Sequence, residues 1–547
     1  MGKGRDKKKK ANEKAGHVKE SGASKTERKT QKALEKKERR VAGDDEDDID
    51  AILASFAIQE GRKTAVTVEE DAPAPSPRAH CSFTAVAGAA PKGAVEIVLF
   101  GGECDDGAKT HVYGDLYRFR PGKAGGAGAW VRVSSPNTPP PRSAHQAAAY
   151  TVGGHPYLIL FGGEFTSPNQ EKFHHYKDLW RLDLATNEWE EIKIKAGPSA
   201  RSGHRCIIHK HTMVMFGGFY DTGRELKYYN DLWTLDLENF KWTSWGKPGD
   251  EGPSPRSGCQ LAADGPVAFL YGGYFKEPDE DDPALERPTV FTDTWALDLA
   301  GGYTWERVKK QGMPPGPRAG FSMAVNKRRA VVFGGVRDHE VKGGEVMLSE
   351  FFNELHAFNM ESRRWFPIIT KHKTKGGGPL GAAAPETAEA RMAAASGAQT
   401  SEGSELVVRA ATRIQARYRG FAVRQAYKVY RVGGAVSELL YSPAVGAAPV
   451  RSAPRPRGRI NAATAMVDNT LYVFGGLVEL GDREVTLDDI WSYDVKKCDG
   501  WALLSRGSIA DEDWEKLKYE SSDGEEEEEG EDERGEPSFT AAPLRDA

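Results

Sequence analysis

The sequence predicts an all-β protein built from six four-stranded sheets packed radially. Three observations carry this. An apolar run closed by Gly-Gly recurs six times, an arginine step and a polar-apolar-aromatic triplet keep phase with it, and a tryptophan follows near the end of each unit. Self-similarity of this kind marks a repeat architecture and overrides the domain count that 547 residues would otherwise suggest.

The glycine pairs close the runs VLFGG (Gly101, Gly102), LILFGG (Gly162, Gly163), VMFGG (Gly217, Gly218), FLYGG (Gly272, Gly273), VVFGG (Gly334, Gly335) and YVFGG (Gly475, Gly476). Their spacings are 61, 55, 55, 62 and 141 residues, the last being one period plus an insert of roughly 80. Upstream stand Arg78, Arg142, Arg201, Arg256, Arg318 and either Arg457 or Arg459. Downstream come the triplets at Asp115, Asp178, Asp231, Asp293, Asn353 and Asp489. The tryptophans are Trp130, Trp189, Trp242, Trp305, Trp365 and Trp501.

Each unit reads as four short strands. The first follows the arginine, the second ends in Gly-Gly, the third contains the triplet, and the fourth begins at the tryptophan. Alternation in Leu179, Arg181, Asp183 and in Leu232, Thr234, Asp236 fits the period of a strand. Gly-Gly permits positive φ and close approach of a neighbour. The large aromatics suit the wedge between adjacent sheets.

These units resemble kelch repeats, and six of them imply a closed six-bladed β-propeller. The resemblance extends to the order of segments: a Lys-rich start, an acidic-apolar helix, six units, an insert before the sixth, and an acidic tail. Together with GGEFTSPNQEKFHHYKDLW, RSGH, PRSGC and EFFNEL, that order is similar to the kelch domain-containing protein 4 family. The resemblance implies an architecture rather than a reaction, and makes the repeated Trp, Arg and Gly residues structural.

Charge is unevenly spread around a net of -5. Residues 1–40 hold 16 Lys or Arg against 6 Asp or Glu, and Glu525 to Glu536 is strongly acidic. Blocks of like charge repel themselves and seldom fold. The expected plan is a basic disordered arm (1–45), a short helix (46–60), blades one to five (75–370), a low-complexity insert (371–456), blade six (457–505) and an acidic disordered tail (506–547). The helix puts Ile49, Ile52, Leu53 and Phe56 on one face, for docking either onto the propeller or into a partner. The basic arm suits nucleic acid, a ribosome or an import receptor, or else is a solvated tail.

The five cysteines form no C-x-x-C, so no disulfide framework or zinc site follows. No secretory signal follows the Lys-rich start, and no stretch approaches ~20 apolar residues. The expectation is an intracellular protein, cytoplasmic or also nuclear, that does not span a membrane.

One island in the insert differs from the linker around it. Residues 404–430, SELVVRAATRIQARYRGFAVRQAYKVY, are basic and place Ile414, Tyr418, Phe421 and Tyr427 near one helical face. The segment resembles a complete IQ motif: Ile414-Gln415, Arg419-Gly420, Arg424 and Tyr427. Gly420 allows close backbone approach. An apolar stripe among cations suits the groove of an acidic partner. The resemblance implies calmodulin or a related EF-hand light chain. The motif is a departure from the family plan. The alternative is a basic amphipathic helix lying on the propeller or on a membrane surface.

The loops between second and third strands should gather on one face. They bring Phe165, Phe173, His174, Tyr176, Phe219, Tyr220, Tyr228, Tyr229, Tyr274 and Phe275, either as a protein-binding surface or as packing for their own blades. His174-His175 without further ligands is a poor metal site. Copper- or iron-binding propellers need ligands converging on one face, and no constellation of Tyr, Cys and two His presents itself. P-loop, G-x-S-x-G and H-E-x-x-H motifs are missing, as are BTB and F-box segments. No catalytic residue, metal or cofactor is assigned, and the expectation is a non-enzymatic scaffold.

Overall fold

Each repeat unit folds into one antiparallel sheet whose four strands run from the axis outward in chain order. Blade one has Ser82–Val86, Glu96–Phe100, Leu116–Arg120 and Ala129–Ser134. Blade two has Gln146–Val152, His155–Phe161, Leu179–Asp183 and Glu188–Ile192. Blade three has Arg205–His209, Thr212–Phe216, Leu232–Asp236 and Trp242–Trp245. Blade four has Gln260–Asp264, Val267–Tyr271, Thr294–Asp298 and Trp305–Val308. Blade five has Ser322–Asn326, Arg329–Phe333, Leu355–Asn359 and Arg364–Pro367. Blade six has Ala463–Val467, Thr470–Leu480, Arg483–Asp494 and Trp501–Ser505. This computed structural model describes residues 49–88, 95–122, 126–170, 172–221, 226–246, 251–278, 286–341, 346–371, 454–480, 483–509 and Trp514. The basic arm, the IQ segment 404–430 and the run 525–536 lie outside the described residues.

First strands neighbour one another around the axis, and the first strand of blade six lies against that of blade one. The chain therefore forms a closed six-bladed β-propeller, and it closes without exchanging a strand between its ends. An unforeseen strand, Thr67–Ala72, instead extends blade one on its outer edge, antiparallel to Ala129–Ser134. Its TVEEDA sequence is exposed along most of its length and carries no apolar alternation, so no periodic signal announces it. Glu70 holds it to Arg120 through a side-chain pair.

Aromatic pairs fill the wedges between blades. The residue before each Gly-Gly meets the repeat tryptophan of the following blade: Phe100 with Trp189, Phe161 with Trp242, Phe216 with Trp305, Tyr271 with Trp365 and Phe333 with Trp501. Phe474 completes the cycle against Trp130, with ring centroids 5.5 Å apart. Tilted and edge-on rings at this separation add to the gain from burying their area.

The repeat arginine is a buried hub, as unit three shows. Arg201 donates from Nη1 to the Gly217 carbonyl (3.0 Å) and to Asp231 Oδ1 (2.6 Å), and from Nη2 to Asp231 Oδ2 (2.8 Å). Its Nε donates to the Ser199 carbonyl (3.1 Å), and its guanidinium lies 4.0 Å from the ring centre of Tyr229. The Trp233 indole N–H donates to the same carboxylate (2.7 Å). Burial works against the Asp231 charge, but these donors hold its pKa below the usual carboxylate range. Asp178 and Asp293 are lowered in the same way.

The sequence pattern puts the triplet of unit five at Asn353 and leaves the arginine of unit six open between Arg457 and Arg459. Arg318 pairs with Glu354 (2.7 Å), so the triplet of unit five is Glu354-Leu355-His356 and does not begin at Asn353. The Asn353 amide donates instead to the Pro456 carbonyl (3.0 Å). In unit six the hub is Arg459, which pairs with Asp489.

The hub also joins blades through its backbone. Gly218 N–H donates to the Arg256 carbonyl (2.9 Å), and Gly476 N–H donates to the Arg78 carbonyl (3.1 Å), linking blade six to blade one. Gly475 sits at φ +59°, and a Cβ there would lie 2.4 Å from that carbonyl. Glycine is needed both for the left-handed backbone and for the close approach.

The sequence left open where the segment 46–60 docks. The helix Ile49–Glu60 lies on the propeller: Ile49, Ile52 and Leu53 pack against Phe165, Tyr176 and Val112. Asp50 in its first turn favours the helix dipole.

Arg201→Ala should destabilise the chain by about 3–5 kcal/mol, because the buried hub is emptied and Asp231 loses its cation. Arg363→Ala removes an exposed pair with Glu306 and should cost about 1 kcal/mol or less. Urea midpoints of the two variants compare them directly; equal shifts would contradict the hub role.

Candidate functional site

Beyond each Gly-Gly the backbone bends and the second and third strands resume as a hairpin. In blades one to five these are Glu103–Asp105 with Thr110–Val112, Glu164–Thr166 with Phe173–His175, Phe219–Asp221 with Leu226–Tyr228, Tyr274–Pro278 with Glu286–Val290, and Val336–Val341 with Val346–Phe351. In blade six the hairpin is continuous with the long strands Thr470–Leu480 and Arg483–Asp494. Each hairpin base is bridged to the residue after its own hub arginine, as in Ser143 with Glu164 and Ser202 with Phe219. The six hairpins thus form a crown seated on the arginine hubs.

The aromatic residues expected on this face separate into two sets. Phe165 is buried under the helix Ile49–Glu60. Tyr176 and Tyr229 are buried too, beneath Arg142 and Arg201 at 4.0 Å. They belong to a further repeat feature, an aromatic two residues before the carboxylate. Tyr113, Phe291 and Phe352 are the other examples, before Asp115, Asp293 and Glu354. That spacing was available in the sequence, and it removes these tyrosines from the accessible surface.

The second set forms a band over blades two to four. The His175 ring lies 5.1 Å from Tyr220 and 5.6 Å from Phe219. Phe219 meets Tyr228 at 6.0 Å, and Tyr228 meets Phe275 edge-on at 5.0 Å. Phe219, Tyr220, Tyr228 and Phe275 are all half-buried, as are Phe173 and Tyr274 beside them, while His174 is exposed.

A polar relay supports the band. Asp221 N–H donates to His175 Nε2 (2.9 Å), so the ring proton sits on Nδ1, which faces Ser202 Oγ at 3.2 Å. The Ser202 hydroxyl in turn donates to Glu164 Oε2 (3.2 Å). Ser143 of blade two donates likewise to Glu103 of blade one (2.9 Å). Burial first, with Glu103 and Asp221 adding repulsion, pushes Glu164 up to about 8. Burial likewise pushes His175 down to about 4, so it stays neutral near pH 7.

The cysteine chemistry is quiet. Burial pushes Cys81 up to about 12, and raises Cys104, Cys206 and Cys259 as well, so these thiols stay protonated at neutral pH. Among the described residues no group of three His, Cys, Asp or Glu is placed to hold a metal ion, and no helix is long and apolar enough to cross a membrane.

Six sheets on buried arginine hubs, capped by a crown of variable hairpins, define a β-propeller of the class commonly used as a protein-interaction scaffold. The chain belongs to the kelch-repeat family: the family profile described as the KLHDC2/KLHL20/DRC7 kelch-repeats domain matches residues 41–218 and 89–335, over half of the sequence. The kelch motif profile matches residues 458–498. Among curated proteins, the chain is 27% identical over 394 residues to leucine-zipper-like transcriptional regulator 1 of Homo sapiens, covering 70% of this chain and 39% of that protein. It is 28% identical over 194 residues to kelch domain-containing protein 1 of Mus musculus, covering 33% and 45%. It is 27% identical over 265 residues to host cell factor of Drosophila melanogaster, covering 46% and 16%. The chain thus spans less than half the length of each of these relatives.

Glu164 makes stability depend on pH. Its folded pKa lies above the unfolded value, so its contribution is complete below about 4.5 and is lost as pH rises to about 8. Glu164→Gln should therefore gain on the wild type from about pH 5 toward about pH 8.5 in parallel urea titrations. A stability difference that stays constant with pH would exclude the buried-carboxyl account.

Proposed function

We propose that the chain is a non-catalytic scaffold whose crown binds a protein partner while residues 404–430 recruit calmodulin or a related EF-hand protein. The observation that carries the first half is the aromatic band Tyr220, Phe219, Tyr228 and Phe275. Half-buried aromatics held by a rigid hairpin base are the side chains that dominate binding energy at interfaces. Residues Phe173, His174 and Tyr274 extend the same face.

The charge of the crown indicates the kind of partner. The hairpin segments 103–112, 164–175, 219–228, 274–290, 336–351 and 477–488 contain 21 Asp or Glu against 9 Lys or Arg. A partner with a basic rim around an apolar centre fits this distribution, because complementary charge speeds encounter and penalises wrong partners.

The second half rests on the motif itself. Ile414, Gln415, Tyr418, Arg419, Gly420, Phe421, Arg424 and Tyr427 provide the apolar stripe and the cations that an acidic EF-hand groove takes. Within the kelch family, we place the chain beside the kelch domain-containing protein 4 group on the order of its segments, acting inside the cell. The basic residues 1–40 favour a second reading, association with RNA or ribosomes.

Two experiments test the two halves. A synthetic peptide of residues 404–430 should bind calmodulin one to one in calorimetry, with or without calcium, and Ile414→Ala with Arg419→Glu should weaken it by about tenfold or more. No binding in either condition would dismiss the calmodulin role. Separately, the double variant Tyr228→Ala and Phe275→Ala should keep the wild-type melting temperature yet lose partners cross-linked to the wild-type crown. Unchanged partners would mean that another face does the binding.

A further inference from the structure

Blade six departs from its five siblings at one position. In blades one to five an aromatic ring lies 3.8–4.1 Å from the hub guanidinium. In blade six the corresponding residue is Leu487, which cannot stack on Arg459. A cleft of about 370 Å³ lies here, between blades five and six. Leu487, Trp491 and Trp514 line it with apolar surface, and Arg455, Arg457 and Arg506 bring positive charge. Asp489 also lines the cleft, but its carboxylate is engaged by Arg459 and by the Trp491 indole N–H.

The arginines are held in place as well as gathered. The Arg457 carbonyl accepts from Arg459 Nε (3.1 Å), which ties this backbone to the buried hub. The Arg457 guanidinium lies 4.0 Å from the ring centre of Trp514. Both Arg455 and Arg457 are exposed to solvent. Trp514 is itself buried, packed on Val478 and Leu487, and so pins the C-terminal segment at the cleft.

Eleven residues past that anchor the chain enters Glu525 to Glu536, with nine acidic side chains and one arginine in twelve positions. An extended linker of that length spans up to about 36 Å, ample for a return to the cleft. We propose that the cleft between blades five and six binds an acidic polypeptide strand, and that its resident occupant is this chain's own run Glu525 to Glu536. Exposed carboxylate–arginine pairs are individually weak and screened by salt. Tethering compensates, because a short linker gives an effective concentration of about 1 mM. Occupancy within the chain then needs only a dissociation constant for the free peptide below that concentration. An external acidic segment would have to displace the tail, which makes the tail a competitor built into the propeller.

The test uses a fluorescent peptide of residues 521–537 as probe. Its hosts are the full chain and a chain ending at residue 520, which keeps every described residue. The shortened chain should bind the probe saturably, several-fold more weakly at high salt, and about tenfold or more tightly than the full chain does. Arg455→Glu with Arg457→Glu in the shortened chain should weaken binding about tenfold or more without lowering the melting temperature. In the full chain, the same double variant should make the 525–536 run faster to cleave with a Glu-specific protease at low salt. The proposal is overturned if the shortened chain does not bind, if both chains bind equally, or if the charge-reversed chain binds as before.

Discussion

The buried arginine is the contact on which the propeller depends. Taking a guanidinium out of water is costly unless charge and hydrogen bonds are both supplied. Here the carboxylate supplies the charge, the glycine and i−2 carbonyls take further donors, and in five blades an aromatic ring covers the face. The same residue's main chain then receives the Gly-Gly of the blade before it. One side chain thus ties together the strands of its own blade, and its carbonyl joins that blade to the one before.

Closure is the same contact used once more. Arg78 receives Gly476 across the junction of the two ends of the array, and Phe474 meets Trp130 there as Phe161 meets Trp242 elsewhere. The ring therefore needs no exchanged strand, and the extra strand Thr67–Ala72 is left to cover the outer edge of blade one. Pairing there satisfies the outer backbone groups of Ala129–Ser134, and the new edge carries the charged residues Glu69, Glu70 and Asp71.

Because the hubs hold the hairpin bases, the crown is free to vary. Blades one and two place Glu103 and Glu164 at the hairpin base, where blades three and four place Phe219 and Tyr274. The acidic positions build a polar relay, and the aromatic ones begin the band that ends on Phe275. Blade six loses the hub aromatic altogether and gains a cleft that Trp514 enters. Variation at equivalent positions, and not any change in the framework, gives each sector its chemistry.

The sequence by itself determined the blades. Glycine pairs, arginines and tryptophans recur in phase because every copy solves one packing problem, and identical problems leave identical residues. It also held the aromatic-before-carboxylate spacing that explains Tyr176 and Tyr229. Only the tertiary structure decided that Glu354 replaces Asn353 as the partner of Arg318, since a carboxylate one residue on reaches the hub where the amide does not. It alone decided that Ile49 packs on Phe165, that Thr67–Ala72 is a strand, and that Tyr228 meets Phe275 across blades. Those contacts join residues distant in the chain and occur once each, so no period records them. The six-bladed propeller was thus written in repetition, while its surfaces were set by what the ring brings together.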